Sequence, residues 1–156
     1  MLVKEKEKNY MDKLKEAQLK KRETRKINFS SQPENLALVE KLVDEICESN
    51  NIKDDFYGNI LISITEAVNN AIQHGNKYDS NKRIKISFAS YHDVLYFSVE
   101  DQGQGFDYNN LPDPTDPGNL EKINGRGIFL MKNLADEVAF SKKGRMVELN
   151  FKTSAN

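Results

Sequence analysis

Apolar residues recur every three or four positions between residues 56 and 72, which is the spacing of one helix face. The stripe consists of Phe56, Ile60, Leu61, Ile64, Val68, Ala71 and Ile72. Such a stripe predicts an amphipathic helix whose apolar side packs on a core. Asp54 is a suitable N-cap and Gly75 a suitable C-terminal stop. We therefore predict a helix between these two residues.

The same kind of pattern predicts two further helices and five strands. The segment 31–34, Ser-Gln-Pro-Glu, has the form of a capping box, and an apolar stripe follows it to about Ser49. A short apolar helix is predicted to begin at Asn124 and to end near Leu134. Alternating apolar and polar residues predict strands at 25–30, 82–90, 94–101, 136–141 and 145–151. This order predicts a two-layer α/β sandwich with a mixed, mostly antiparallel sheet covered by helices on one face.

Composition favours one soluble globular domain. Hydrophobic residues make up 38% and charged residues 30% of the 156 residues, which is typical of a domain with a highly charged surface. No apolar run approaches the roughly 20 residues needed to cross a bilayer, and the N-terminus lacks the apolar stretch of a signal peptide. Cys47 is the only cysteine, so we expect a buried free thiol and a cytoplasmic protein.

Charge is distributed unevenly along the chain. Residues 1–26 carry ten Lys and Arg against five Asp and Glu, a net +5, and the remainder carries thirteen against nineteen, a net −6. The first 24 residues are predicted to form a charged helix or an arm beside a domain at 25–152. The acidic character of that domain argues against nucleic acid as the main partner.

Glu66 and Asn70 are the first candidate functional residues. They lie four positions apart on the polar side of the helix predicted at 54–75, so their side chains share one face. A carboxylate and a carboxamide arranged in this way can hold a hydrated Mg²⁺ ion and position a nucleophile. A single pair of this kind is, however, more often part of a solvated helix face.

A second candidate site follows the strand predicted at 94–101. Counting in twos along its apolar positions places Asp101 on the inner face. A carboxylate is costly there unless something donates hydrogen bonds to it. Gly103 and Gly105 follow directly and would allow the backbone to approach a ligand closely, although an ordinary tight turn has the same spacing.

A third candidate site lies beyond a long irregular segment. Residues 107–124 hold three of the four prolines and show no helical or strand period, which is typical of a functional lid or a disordered segment. The next helix begins with Asn124, Gly125, Arg126 and Gly127. A glycine-flanked helix start presents free N–H groups and a positive dipole end, which suits phosphates, and Arg126 would add a cation.

These three signals occur in a distinctive order: E-x-x-x-N on a helix, D-x-G-x-G after an inner strand, and G-x-G at a helix start after a lid. Together they resemble the ATP-binding domain of the GHKL or Bergerat fold, which gyrase-type, histidine-kinase and MutL-type proteins share. The segments 64–71 and 127–131 are most similar to the anti-sigma factor serine kinases of the RsbW and SpoIIAB type. The resemblance covers about residues 25–152.

The resemblance implies a role for each motif. Glu66 would be the general base that deprotonates an acceptor serine, and Asn70 would be the Mg²⁺ ligand beside ATP. Asp101 would accept a hydrogen bond from the adenine amino group, while Gly103 and Gly105 would let the backbone approach the base. The residues expected around the nucleotide phosphates are Asn124, Gly125, Arg126, Gly127 and Ile128.

The resemblance also implies a function: an ATP-dependent protein serine kinase and anti-sigma factor of a partner-switching pathway. Its substrate would be a STAS-domain anti-anti-sigma protein, its other partner a sigma factor or another regulatory target, and its oligomeric state a homodimer. One alternative is a nucleotide-gated binding module that captures partners without phosphoryl transfer, although Glu66 argues against it. A detached histidine-kinase catalytic domain is disfavoured, because the region before residue 25 is too short for a phospho-accepting helical hairpin.

One departure from the family pattern concerns the last hairpin. Family members often carry a Gly-Thr pair before the last strand, where the hydroxyl supports the adenine site. Here the pair is Gly144-Arg145, so that support is absent or comes from another residue, with Ser141 as one option. His74, at the predicted helix end, is expected to act as a cap or to contact the lid.

Overall fold

A computed structural model describes residues 21–109 and 125–153 of the chain. Within these ranges it contains β1 (Glu23–Ser30), α1 (Leu36–Ser49), α2 (Asp54–Asn70), β2 (Arg83–Ser90), β3 (Val94–Glu100), α3 (Gly125–Leu134), β4 (Glu137–Ser141) and β5 (Met146–Lys152). Every helix and strand predicted within these ranges is present, with bounds shifted by a few residues. The predicted N-terminal helix or arm falls largely outside the described residues, as does most of the predicted lid.

The strands form a single sheet in the order β1-β2-β3-β5-β4, and each neighbouring pair is antiparallel. β5 lies between β3 and β4 because the chain leaves the sheet after β3, forms α3 and returns through the β4–β5 hairpin. The register pairs Glu100 with Met146, so the end of β3 lies beside the start of β5. The predicted two-layer α/β sandwich is confirmed, with a wholly antiparallel sheet among the described strands.

The core lies between the sheet and the helices. Alternate residues of β2, β3 and β5 point towards α1, α2 and α3 and are almost completely buried. Phe97 is at the centre, with its ring centroid 4.9 Å from that of Phe88 and 6.0 Å from that of Phe151. Complete burial of a side chain of this size stabilises the fold by about 1.5–3 kcal/mol. The apolar periodicity that predicted the helices and strands therefore also determines which face of the sheet the helices cover.

The capping box predicted at Ser31 is wrong. The chain first forms a short 3₁₀ turn at Pro33–Asn35, and α1 begins after it at Leu36. The Ser31 hydroxyl is buried without a hydrogen-bond partner, because the side chain points into the protein instead of along the helix axis. Asn35 tightens the turn by donating its side-chain N–H to the Ser30 carbonyl at 2.8 Å. Proline in the first turn is compatible with this start.

The predicted start of α2 differs from the structure by one residue, and the predicted end at Gly75 is reached through a change of helix type. Asp54 is the first helical residue and Lys53 occupies the N-cap position, where no side chain caps the helix. At the other end the α-helix stops at Asn70 and widens into a π turn, Ala71–Gly75. The N–H of Asn76 closes this turn by donating to the Ala71 carbonyl at 2.8 Å. Single π turns of this kind often occur at functional sites.

The composition led to two expectations, one about the Cys47 thiol and one about membrane-spanning segments. Cys47 is buried on α1, and burial raises the pKa of its thiol to about 11, with Asp44 adding to the rise. The thiol is therefore protonated and packed as a small apolar group, as predicted. Among the described residues, no helix has both the length and the apolar character that crossing a bilayer requires.

Candidate functional site

A cavity of about 220 Å³ opens between α2, α3, the end of β3 and the start of β5. Four of the predicted site residues line it: Asn70, Asp101, Gly105 and Ile128. The other lining residues are Ala67, Ala71, His74, Gly75, Lys77, Val99, Phe106, Met131, Phe140, Gly144, Arg145 and Val147. The fold thus brings together three motifs that are far apart in the sequence.

Asp101 is buried in the wall of this cavity, as the parity of β3 predicts. Its Oδ1 accepts the N–H of Gly103 at 2.8 Å, and its own main-chain N–H donates to the Arg145 carbonyl at 2.9 Å. Burial raises the pKa of this carboxyl, and the Gly103 N–H and the charge of Arg145 partly offset the rise. The carboxylate is therefore costly where it lies, which is a property of residues that serve a site.

The glycines around Asp101 allow segments of backbone to touch each other. A Cβ on Gly75 would lie 2.4 Å from Asp101 Cγ, and a Cβ on Gly103 would lie 2.0 Å from the Gly75 carbonyl oxygen. Gly105 has a positive φ of 83°, and its Cβ would lie 2.0 Å from the Lys143 carbonyl oxygen. The close approach predicted for this motif is thus made to neighbouring backbone, and of Gly103 and Gly105 only the second lines the cavity.

These contacts give a direct stability prediction. We expect Gly103→Ala to lower the free energy of unfolding by about 2 kcal/mol or more, because an added methyl group would overlap a backbone carbonyl that cannot move freely. Gly58→Ala on α2 is the matched control, since open space surrounds its Cβ, and it should raise stability by about 0.5–1 kcal/mol. Denaturant unfolding of both variants measures the difference, and a wild-type midpoint for Gly103→Ala would contradict the described contact.

Glu66 and Asn70 meet the start of α3 at Gly127. A Cβ on Gly127 would lie 3.0 Å from Glu66 Oε2 and 2.9 Å from Asn70 Nδ2. The helix start, the carboxylate and the carboxamide therefore converge, as the shared face of α2 predicts. Arg126 is exposed in the same turn of α3, whereas Asn124 lies outside the described residues.

The donors at this point suit Mg²⁺. The ion prefers oxygen ligands and is usually held by one or two protein groups together with substrate phosphates. Asn70 offers a carboxamide oxygen, and the Glu66 carboxylate lies beside it. Within residues 21–109 and 125–153 no cluster of three or more His, Cys, Asp or Glu could enclose a metal by itself. The arrangement therefore fits an ion shared with a phosphate ligand.

Several residues of the cavity wall were not predicted from the sequence. Lys77 and Arg145 add two cations, while Phe106 and Phe140 add aromatic rings whose centroids are 5.4 Å apart. Phe106 directly follows Gly105, and this adjacency is a signal that could have identified it. Phe140 and Arg145 belong to the final hairpin, and only the position of β5 beside β3 brings them to the site.

Two further expectations concern His74 and Ser141. His74 lies in the π turn, lines the cavity and is half-buried, and burial lowers the pKa of its imidazole. It therefore lies in the last turn of the helical segment, as expected, and also in the cavity wall. The expected contact with the lid involves a segment that lies mostly outside the described residues. Ser141 does not line the cavity, and its hydroxyl is buried without a partner, so it does not replace the family's threonine there.

Comparison with known proteins supports this interpretation of the fold. The chain is similar to Serine-protein kinase RsbW of Bacillus subtilis (strain 168), with 29% identity over 114 residues that cover 69% of this chain and 71% of the relative. It is also similar to Serine-protein kinase RsbW of Bacillus cereus (strain Q1), with 37% identity over 83 residues that cover 49% and 51% of the two chains.

The solved structure of the RsbU and RsbW domains of Rv1364c from Mycobacterium tuberculosis has the same fold, with a TM-score of 0.59 and 17% identity. The match covers 83% of this chain and 31% of that longer chain. The family described as Histidine kinase-like ATPase domain matches residues 29–151. Because this match covers most of the chain and agrees with the resemblance seen in the motifs, the protein belongs to the histidine kinase-like ATPase domain family.

Proposed function

We propose that this protein is an ATP-dependent protein serine kinase that acts as an anti-sigma factor in a partner-switching pathway. The observation that carries the proposal is the convergence of Glu66, Asn70 and Gly127 beside a cavity that holds a buried carboxylate. Its relatives are named serine-protein kinases. A binding module would not need a carboxylate where a phosphate acceptor arrives, so the position of Glu66 favours a kinase.

The proposed chemistry needs few protein groups, because phosphoryl transfer depends mainly on positioning and charge neutralisation. Glu66 accepts the proton of the acceptor serine hydroxyl as the serine oxygen forms a bond to the γ-phosphorus of ATP and ADP leaves. Asn70 would hold Mg²⁺ through its carboxamide oxygen, and the bound ion would neutralise negative charge on the phosphates. The N–H groups at the start of α3 and the guanidinium of Arg126 stabilise the remaining negative charge.

Asp101 supplies the selectivity of the proposed site. Gly103 N–H occupies Oδ1, so Oδ2 is the oxygen that accepts a hydrogen bond from the adenine amino group. Guanine carries a carbonyl at the corresponding ring position and would place an acceptor against the carboxylate. A buried acceptor therefore favours ATP over GTP, because the wrong base leaves it unpaired.

The proposed partners follow from the resemblance to the anti-sigma factor serine kinases. We propose that a domain at about residues 25–152 binds ATP and Mg²⁺, although β1 already begins at Glu23. Its substrate is a serine of a STAS-domain anti-anti-sigma protein, and its other partner is a sigma factor or a comparable regulatory target. We further propose that the protein works as a homodimer in the cytoplasm.

The deciding experiment is phosphate transfer from radiolabelled ATP and Mg²⁺ to a purified STAS-domain protein from the same genome. We expect a phosphoserine on the partner, and we expect Asn70→Ala to slow transfer at least about tenfold, because a residue that would hold Mg²⁺ is lost. Asn69→Ala is the matched control, since this neighbour lies on a different side of α2.

ATP binding is measured on the same samples. ATP binding without transfer to any STAS-domain partner would identify the protein as a nucleotide-gated binding module. An absence of ATP binding would overturn both the kinase and the module.

A further inference from the structure

Asn76 is a polar residue in what the sequence predicts to be an ordinary polar loop after α2, yet it is only 1% exposed. Its neighbours in this loop, Lys77 and Tyr78, are exposed. Burial of a carboxamide is costly unless its donor and its acceptor are both satisfied. The burial of Asn76 therefore needs a reason, which its hydrogen bonds provide.

Asn76 belongs to a closed ring of three hydrogen bonds. Its Oδ1 accepts the main-chain N–H of Gln102 at 2.8 Å, and its Nδ2 donates to the Arg83 carbonyl at 3.0 Å. Gln102 completes the ring, because its Oε1 accepts the main-chain N–H of Arg83 at 2.7 Å. The ring joins the end of the π turn, the start of β2 and the turn after β3.

Two residues of the ring are direct sequence neighbours of residues that line the cavity. Asn76 directly follows Gly75, and Gln102 directly follows Asp101. Gly75 and Asp101 are packed closely together, since a Cβ on Gly75 would lie 2.4 Å from both Asp101 Cγ and Oδ2. The bond from Gln102 N–H to Asn76 therefore fixes the separation between the π turn and the carboxylate.

Neither Asn76 nor Gln102 lines the cavity, so these residues act on a ligand only through the neighbours that do, Gly75 and Asp101. We propose that Asn76 is a positioning residue for base recognition: it holds the Asp101 carboxylate against Gly75 at the place where the amino group of adenine is recognised. The inference rests on the proposed function, and in particular on the role given there to Asp101.

Loss of the ring is expected to impair recognition of the adenine amino group more than binding of the phosphates. A carboxylate that is free to shift recognises the amino group poorly, whereas the phosphates are bound at the other end of the site by α3. Loss of the ring should therefore weaken the binding of nucleotides that carry the amino group, and it should spare phosphoryl transfer once the site is saturated.

The test compares two nucleotides on the full-length protein with Mg²⁺: ATP and purine riboside triphosphate, which lacks the 6-amino group. For wild type we expect tighter binding of ATP. For Asn76→Ala we expect the Kd for ATP to rise about tenfold, as for one lost hydrogen bond, and the Kd for the analogue to change less than about twofold. KM for ATP in the transfer assay should rise in parallel while kcat stays constant.

Two further variants keep the test informative. Gln102→Ala removes only the link from an exposed side chain to Arg83 and should lower the ATP preference by a smaller factor without unfolding the protein. Arg83→Ala is the matched control, because the ring uses only main-chain atoms of this residue, and its nucleotide preference should equal that of wild type. Thermal unfolding of each variant shows whether the fold is intact.

The outcomes separate this inference from the proposed function. An equal loss of affinity for both nucleotides in Asn76→Ala would show a merely structural role and overturn the inference. If Asn76→Ala does not fold, an unchanged preference in Gln102→Ala would overturn it. Wild-type binding of both nucleotides with equal affinity would overturn the role of Asp101 while leaving the kinase intact. Failure of wild type to bind ATP would overturn the proposed function and this inference together.

Discussion

Glu66→Gln is expected to reduce phosphoryl transfer by about 10²–10⁴-fold, the range for loss of a general base, while ATP affinity stays within about twofold of wild type. Glutamine keeps the shape of the side chain and its contact with Gly127 but cannot take a proton at neutral pH. Glu66 does not line the cavity, so its charge is not needed to bind the adenine ring. Initial rates of serine phosphorylation, measured with saturating ATP, give the first quantity, and titration calorimetry gives the second.

Glu40→Gln is a suitable control, because this carboxylate is exposed on α1 and should behave like wild type in both assays. Transfer that survives in Glu66→Gln would assign the base to another residue. A parallel loss of ATP affinity would instead show that Glu66 acts by supporting the start of α3.

Asp101→Asn is expected to raise the Kd for ATP by about 100-fold or more, because a buried acceptor is replaced by an amide that can present an N–H to the adenine amino group. The bond from Gly103 N–H to the carboxylate is also weakened, since it loses its charged acceptor. Binding isotherms on both proteins at neutral pH measure the change. Asp93→Asn, in the exposed β2–β3 turn, is the matched control and should bind ATP normally.

Because the pKa of Asp101 is raised, lowering the pH should have opposite effects on ATP affinity and on the stability of the fold. Nucleotide recognition needs the carboxylate, so ATP affinity should be lost as the pH falls through the folded-state pKa, at a higher pH than for an exposed aspartate. Stability should respond in the opposite sense. The folded pKa lies above the unfolded one, so the destabilisation is complete above the folded pKa and disappears below the unfolded pKa. In Asp101→Asn both of these contributions should be absent.

The sequence predicted those features of the fold that depend on which side of an element is buried. Periodicity located the helices and strands because each has one apolar face, and the same parity correctly assigned Asp101 to the inner face of the sheet. The spacing of Glu66 and Asn70 predicted a shared face for a comparable reason. These inferences are local, since each concerns residues on one element.

What could not be predicted depends on contacts between distant segments. The ring around Asn76 joins side-chain atoms to main-chain atoms of distant residues, with 26 positions between Asn76 and Gln102, and no sequence pattern marks such a bond. The π turn differs from an α-helix only in its hydrogen bonding, for which Ala71–Gly75 has no distinctive composition. Phe140 and Arg145 reach the cavity wall because β5 pairs with β3. Ser31 misled the prediction because a hydroxyl suited to capping is buried instead.

The position of β5 between β3 and β4 has a consequence for folding kinetics. The hairpins β2–β3 and β4–β5 join neighbouring segments and can form quickly, whereas pairing of β3 with β5 requires closure of the long loop at 101–145. Asp101 lies at one end of that segment and Arg145 at the other, and α3 lies within it. A partly folded chain therefore has no complete cavity, and competence to bind nucleotide should appear only with this late step. Bound nucleotide would then slow unfolding most strongly by opposing the separation of β3 and β5.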